Sequence, residues 1–139
     1  MKVALVTAVP ARALDDDMDV LLAAFAAAGI AAEVAAWDDD SVDWAAYDAA
    51  LLRSTWNYID RYDDFLAWAA RVSAVTSLLN PFAVVEWNTD KRYLADLERA
   101  GVPIVPSRFF EPGDSVGASA VEFVDAGEVV VKPCISVGS

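Results

Sequence analysis

Of the three lysines in the chain, Lys2, Lys91 and Lys132, two stand in settings that suit an anion. Lys132 follows the β-branched run Val129-Val130-Val131 and leads into Pro133-Cys134-Ile135-Ser136-Val137-Gly138-Ser139, a small polar loop that contains glycine. An ammonium group beside the backbone N–H groups of such a loop is what phosphates require, and Val130 and Ile135 offer an apolar slot for a base. Lys91 lies in Trp87-Asn88-Thr89-Asp90-Lys91-Arg92-Tyr93-Leu94. Asn88 or Thr89 is expected to cap a helix that carries Leu94, Leu97 and Ala100 at helical spacing and is stopped by Gly101 and Pro103. That puts Lys91 in the first turn, where the amide dipoles are already positive and a polyanion would answer both charges. Taken singly, a lysine at a strand end or helix start is an ordinary solvated charge; the pair points to a nucleoside triphosphate.

A third constellation is Arg53-Ser54-Thr55-Trp56-Asn57-Tyr58, which follows a strand-like run. A guanidinium there can grip a carboxylate bidentately while the aromatic side chains shape a pocket. The plainer alternative is that Trp56 and Tyr58 pack a turn and Arg53 pairs with Asp60 or Asp63.

The elements that must position these residues follow from the apolar pattern. Lys2 to Val9 is an almost continuous apolar run, as in a strand buried on both faces of a parallel sheet. Asp15, Asp16 and Asp17 precede Met18, Leu21, Leu22 and Phe25, an amphipathic helix that ends at Gly29. Strands are expected at Ile30 to Trp37, at Tyr47 to Arg53 and, cut short by Pro81, at Leu78 to Asn80; a second helix runs from about Asp60 to Val72. This order predicts a small α/β module with a doubly wound parallel sheet, its ligand positions beyond the carboxyl ends of the strands. After Pro81 come the Lys91 helix, a turn at Glu111-Pro112-Gly113, a weak helix from about Asp114 to Val124 and a strand from Glu128 to Lys132. The expected division is therefore 1–81 and 82–139.

Composition narrows the partners. The 139 residues carry 10 basic and 22 acidic side chains, a net charge of −12, which repels nucleic acid and anionic membranes. Mean hydropathy is +0.35, but no apolar run approaches the roughly 20 residues of a spanning helix. The start of the chain lacks a signal-peptide layout, and one cysteine with no histidine excludes an intrachain disulfide and disfavours structural zinc. A soluble cytoplasmic protein is expected; homo-oligomeric assembly is left open, since apolar surface exposed by loss of a missing half would make the fragment self-associate whatever the native state.

The run of a small α/β module, Asn88-Thr89-Asp90-Lys91, Gly101-Val102-Pro103-Ile104-Val105-Pro106 and Val130-Val131-Lys132-Pro133 before a serine and glycine loop resembles the ATP-grasp superfamily. Ser54-Thr55-Trp56-Asn57-Tyr58 and Trp87 to Leu94 resemble more narrowly the RimK-type and glutathione-synthetase-like ligases related to the cycloserine-forming cyclo-ligase. The resemblance covers nearly the whole chain. It implies ATP and Mg²⁺ as cofactors and a small carboxylate and an amine or similar nucleophile as substrates, joined through an acyl phosphate. It implies that Lys91 contacts ATP phosphates, that Lys132 contacts phosphate and the adenine side, and that Ser136, Val137, Gly138 and Ser139 close over the β- and γ-phosphates. Arg53, Ser54, Thr55, Trp56 and Tyr58 become the substrate-binding candidates. It also implies that the chain stops inside the phosphate loop of an α+β ATP-grasp subdomain, before the adenine hinge, the magnesium ligands and an arginine for the acyl phosphate. No catalytic or metal-binding residue is therefore assigned, and no turnover by this stretch alone is expected.

Asp15 to Asp17 admit a rival reading as a magnesium site of a receiver-like domain, with Lys132 in the role of its lysine. The acidic phosphoacceptor such a domain needs after its third strand is missing, and helix capping is the plainer alternative. Asp38, Asp39, Asp40 and Asp43 read as a solvated loop with Trp37 and Trp44 over the core, and Cys134 as a small loop residue. From a different class, the alternative function is a non-catalytic small-ligand-binding or regulatory α/β module.

Overall fold

The N-terminal apolar run forms β1 (Lys2–Thr7), buried from Val3 onward. The structure is a computed structural model and describes residues 1–114 and 128–136. β1 pairs in parallel with β2 (Ala31–Ala36) on one edge and with β3 (Ala49–Ser54) on the other. β4 (Ser77–Leu79) adds in parallel to β3, so the sheet order is β2-β1-β3-β4. Successive side chains of a strand point to opposite faces. Val3 and Leu5 accordingly meet α1 (Met18–Ala27) through Met18, Leu21, Leu22 and Phe25. Ala4 and Val6 share the other cluster with Phe65, Trp68, Ala69 and Val72 of α2 (Tyr62–Ser73). A helix on each face makes the sheet doubly wound, as the near-continuous apolar strands require.

The two layers are built differently. The α2 side is aromatic: Phe65 stacks on Trp68 at 5.5 Å and on Tyr58 at 5.2 Å, and meets Trp37 edge-on at 5.2 Å. The α1 side is mainly aliphatic, with Phe25 its one ring among the described residues, and α1 ends where Gly29, at φ +70, turns the chain back toward β2. From β2 to β3 the chain crosses without a helix. A single 3₁₀ turn, Trp44–Ala46, stands in its place, with Asp43 accepting the Ala45 N–H at 3.1 Å and Val42, Trp44 and Tyr47 packed on the aromatic core.

Two expectations are corrected. Phe82–Asn88 folds as a helix, α3, with Phe82 and Val85 in the aromatic cluster, where the sequence pattern read as a boundary. Contacts divide the chain into one compact unit, Met1–Trp87, and a second beginning at Asn88. Lys91 is not in a helical turn: α4 is Tyr93–Arg99, with Arg92 at its cap position. Asn88 is spent as the last residue of α3, and Asp90 Oδ1 accepts the Arg92 N–H at 2.9 Å, which makes 89–92 a turn between two helices. The dipole argument for an anion at Lys91 therefore does not apply.

Residues 128–132 form no strand. Val129, Val130 and Val131 are exposed, Val131 at 85%, because a β-branched run needs a neighbouring edge to pair with and the described residues of this unit supply none. Asp114 ends a turn, and the rest of the helix expected to follow it lies outside the described residues. No helix among the described residues is long and apolar enough to cross a membrane.

Phe65 is 2% exposed and touches three other rings. Phe65→Ala is expected to destabilise the first unit by about 3–5 kcal/mol, read from the denaturant midpoint. An effect below about 1 kcal/mol would show that the aromatic layer is not the core.

Candidate functional site

Arg53 owes its placement to an irregularity. The β1–β3 register runs Val6↔Leu52 and then Thr7↔Ser54, so Arg53 is the extra residue of a bulge. A bulge re-aims a side chain that strict alternation would have turned into one of the layers. Arg53 Nε donates to Asp15 Oδ2 at 3.0 Å, and its Nη2 donates to Asp15 Oδ1 at 3.1 Å and Asp17 Oδ2 at 2.8 Å. Its partners are thus Asp15 and Asp17, not Asp60 or Asp63. Asp17 stands at the cap position of α1 but makes no side-chain cap bond, while Asp15 Oδ1 accepts the Asp17 N–H at 3.3 Å.

Asp15 is the buried member of the group, with a side chain 3% exposed against 36% for Arg53. Burial opposes its charge, but the Arg53 guanidinium, with Ser54 and the Asp17 N–H as further partners, outweighs that penalty. Its carboxyl is held below the ordinary aspartate value.

The other candidates of this segment are less open. Ser54 is fully buried and donates to Thr7 Oγ1 at 2.8 Å; Thr55 is also buried. Tyr58 stacks on Phe65, and burial raises its hydroxyl pKa. Trp56 is 40% exposed, on the 3₁₀ turn Trp56–Asp60. Arg53 and Trp56 are therefore the members a ligand could reach.

Asn57 binds the strand ends together. Its Oδ1 accepts the Trp37 Nε1–H at 2.7 Å and its Nδ2 donates to Asp38 Oδ2 at 2.8 Å, while Asp38 Oδ1 accepts the Val9 N–H at 2.8 Å. The ends of β1, β2 and β3 are joined by one amide and one carboxylate. This network, like the Asp15 and Asp17 pairing, was not assigned from sequence. The available signal was topological: segments that follow adjacent parallel strands emerge at the same sheet edge.

In the second unit Lys91 reaches the segment after Lys132. Its Nζ donates to Ser136 Oγ at 2.6 Å and to the Ser136 carbonyl at 3.2 Å, and its backbone N–H donates to the Cys134 carbonyl at 2.9 Å. Arg92, next in sequence, is bound instead by Asp90 and Glu111, both at 2.9 Å. Neither Lys91 nor Lys132 makes an ion pair among the described residues, and Lys132 is exposed. Val137, Gly138 and Ser139, the rest of the expected phosphate loop, lie outside the described residues.

Residues 3–80, more than half of the chain, match the family model described as the N-terminal domain of D-cycloserine synthetase DcsG. The chain belongs to the DcsG N-terminal domain family. The cycloserine biosynthesis protein DcsG of Streptomyces lavendulae is 44% identical over 134 residues, which are 94% of this chain and 45% of that protein. The crystal structure of D-cycloserine synthetase DcsG superposes with a TM-score of 0.78 at 42% identity, over 91% of this chain and 43% of that one. By these names the relatives are biosynthetic enzymes, and this chain spans about half their length. The family match holds Asp15, Asp38, Arg53 and Asn57; Lys91 and Lys132 lie beyond it.

Because the Asp15 carboxyl titrates lower folded than unfolded, its contribution to stability is full above the ordinary value of 3.8 and is lost as pH falls below it. Asp15→Asn is expected to flatten that acid limb of the stability curve. Arg53→Ala, which strands a buried carboxylate, is expected to cost about 1–3 kcal/mol at neutral pH. An unchanged acid limb in Asp15→Asn would refute the pairing.

Proposed function

We propose that this chain is the N-terminal portion of an ATP-grasp ligase that joins a small carboxylate to an amine or similar nucleophile through an acyl phosphate. The observation that carries the reading is the pair of lysines in a chain of net charge −12: Lys91 is held on the Lys132–Ser136 segment by neutral oxygens, and neither lysine has a carboxylate partner among the described residues. In so acidic a protein, cations left without acids suit an incoming anion. The similarity to biosynthetic DcsG proteins along 94% of the chain supports the same reading.

The donors fit a polyphosphate. Lys91 and Lys132 would hold it, and the Ser136 hydroxyl, now taken up by Lys91, would become free to turn to phosphate as the ammonium does. ATP, when bound, supplies the phosphoryl group that converts a carboxylate into an acyl phosphate open to displacement. Ser136 to Ser139 would cover the phosphates and exclude water. Arg53, aimed by its bulge and already polarised by Asp15 and Asp17, would orient the substrate carboxylate, with Trp56 against its apolar part; buried Ser54 and Thr55 and half-buried Tyr58 would shape the segment from behind. Among the described residues no group of three or more acidic or cysteine side chains is placed to hold a metal, so magnesium, expected with ATP, is assigned no ligand here. The proposed location is the cytoplasm, and no nucleic-acid or membrane partner is proposed.

Calorimetric titration of MgATP into this chain and into a protein extended at its C-terminus tests the assignment. Weak or absent binding here and firm binding in the longer protein are expected; equal affinity in both would favour a stand-alone binding module. In the longer protein, Lys91→Ala is expected to raise KM for ATP at least tenfold, and Arg53→Ala to raise KM for the carboxylate with KM for ATP unchanged. A normal carboxylate KM in Arg53→Ala would remove Arg53 from the site.

A further inference from the structure

The helix missing between β2 and β3 has a consequence on the α2 side of the sheet. The short connection fills only part of the space a crossover helix would occupy, and a cleft of about 420 Å³ remains between it and α2. Its walls include the indoles of Trp37, Trp44 and Trp68. Trp44 meets Trp68 edge-on at 5.1 Å, and Trp37 lies 6.2 Å from Trp68. Trp68 is 2% exposed, and its Nε1–H is the one buried side-chain polar atom among the described residues without a partner. Buried indole N–H groups are ordinarily hydrogen-bonded, so Trp68 holds an unused donor shielded from solvent.

The charged lining residues sort into occupied and free. Asp39 accepts from Ser41 and Arg12, and Asp43 from the Ala45 N–H. Asp40 and Arg71 also line the cleft, yet the side chain of neither has a hydrogen-bond or ion-pair partner among the described residues. One free anion and one free cation beside an aromatic wall match a small molecule with both charges and an apolar body.

We propose that this cleft is a binding site for an α-amino acid with an apolar side chain, separate from the Arg53 segment. Arg71 takes the carboxylate, whose planar form suits a guanidinium fork, and Asp40 takes the ammonium. The indoles pack against the side chain. The size is within the usual range for small-molecule sites. None of the lining residues belongs to the lysine and loop assembly or to Arg53–Tyr58, so the site does not depend on the ligase assignment.

Tryptophan fluorescence and calorimetry on this chain test it, with L- and D-phenylalanine as probes and no nucleotide present. At least one enantiomer is expected to give saturable binding. Phenethylamine and 3-phenylpropionate, each lacking one charged group, are expected to bind at least tenfold more weakly, as phenylalanine itself should to Arg71→Gln and Asp40→Asn. Lys91→Ala and Arg53→Lys should leave the affinity unchanged. The proposal is overturned if neither enantiomer saturates up to its solubility limit, if a one-ended analogue binds as well as phenylalanine, or if Arg71→Gln binds it normally. The analogues need no altered protein, so the outcome does not hang on a variant's folding.

Discussion

β1 is closed on every side, and much of the first unit follows from that. Its two edges are taken by β2 and β3, and its two faces by aromatic and aliphatic layers. A strand in that position can have no unpaired amide and no polar side chain without a partner. Thr7, its last residue, is fully buried and obeys the rule by pairing with Ser54. Because both neighbours are parallel to β1, all three strands deliver their following loops to one edge. That edge is where Asp15, Asp38, Arg53 and Asn57 assemble, although they are far apart in sequence.

Electrostatics then sorts the cations. Four are absorbed by acids near the surface: Lys2 by Glu33, Arg12 by Asp39, Arg61 by Asp64, Arg99 by Asp96. Such exposed pairs are worth at most about 1 kcal/mol each and mark no site. The pair of Arg53 with Asp15 differs because one partner is out of water, so the two groups hold the strand-end loop to β3 and give Arg53 a defined direction. Lys91, Lys132 and Arg71 form the contrasting set, cations that an acidic chain has left without acids among its described residues. Their placement, and not their number, marks two of the three regions assigned a ligand.

The order of β1, α1, β2, β3, α2 and β4 was legible in the sequence because each obeys a local period: apolar runs for strands buried on both faces, three- and four-residue spacing for Met18, Leu21, Leu22 and Phe25. Gly29 and Gly101 ended their helices where expected, each at a positive φ that costs glycine nothing. Local pattern failed where a residue's role depends on what comes to meet it. Phe82 to Asn88 looked like a boundary because Pro81 opens it, yet the same proline is well suited to start a helix once Val85 has a core to enter. Val129 to Val131 looked like a strand by propensity, but a strand exists only with a partner edge.

The sequence by itself therefore determined the α/β class and the order of strands and helices in the first unit, since those depend on side-chain type and period. The tertiary structure alone decided the partners: Asp15 and Asp17 for Arg53, Asn57 for Trp37 and Asp38, Ser136 for Lys91. Such pairs form across strand ends or between loops, where separation in sequence is large and no periodicity records which groups will lie within hydrogen-bonding distance.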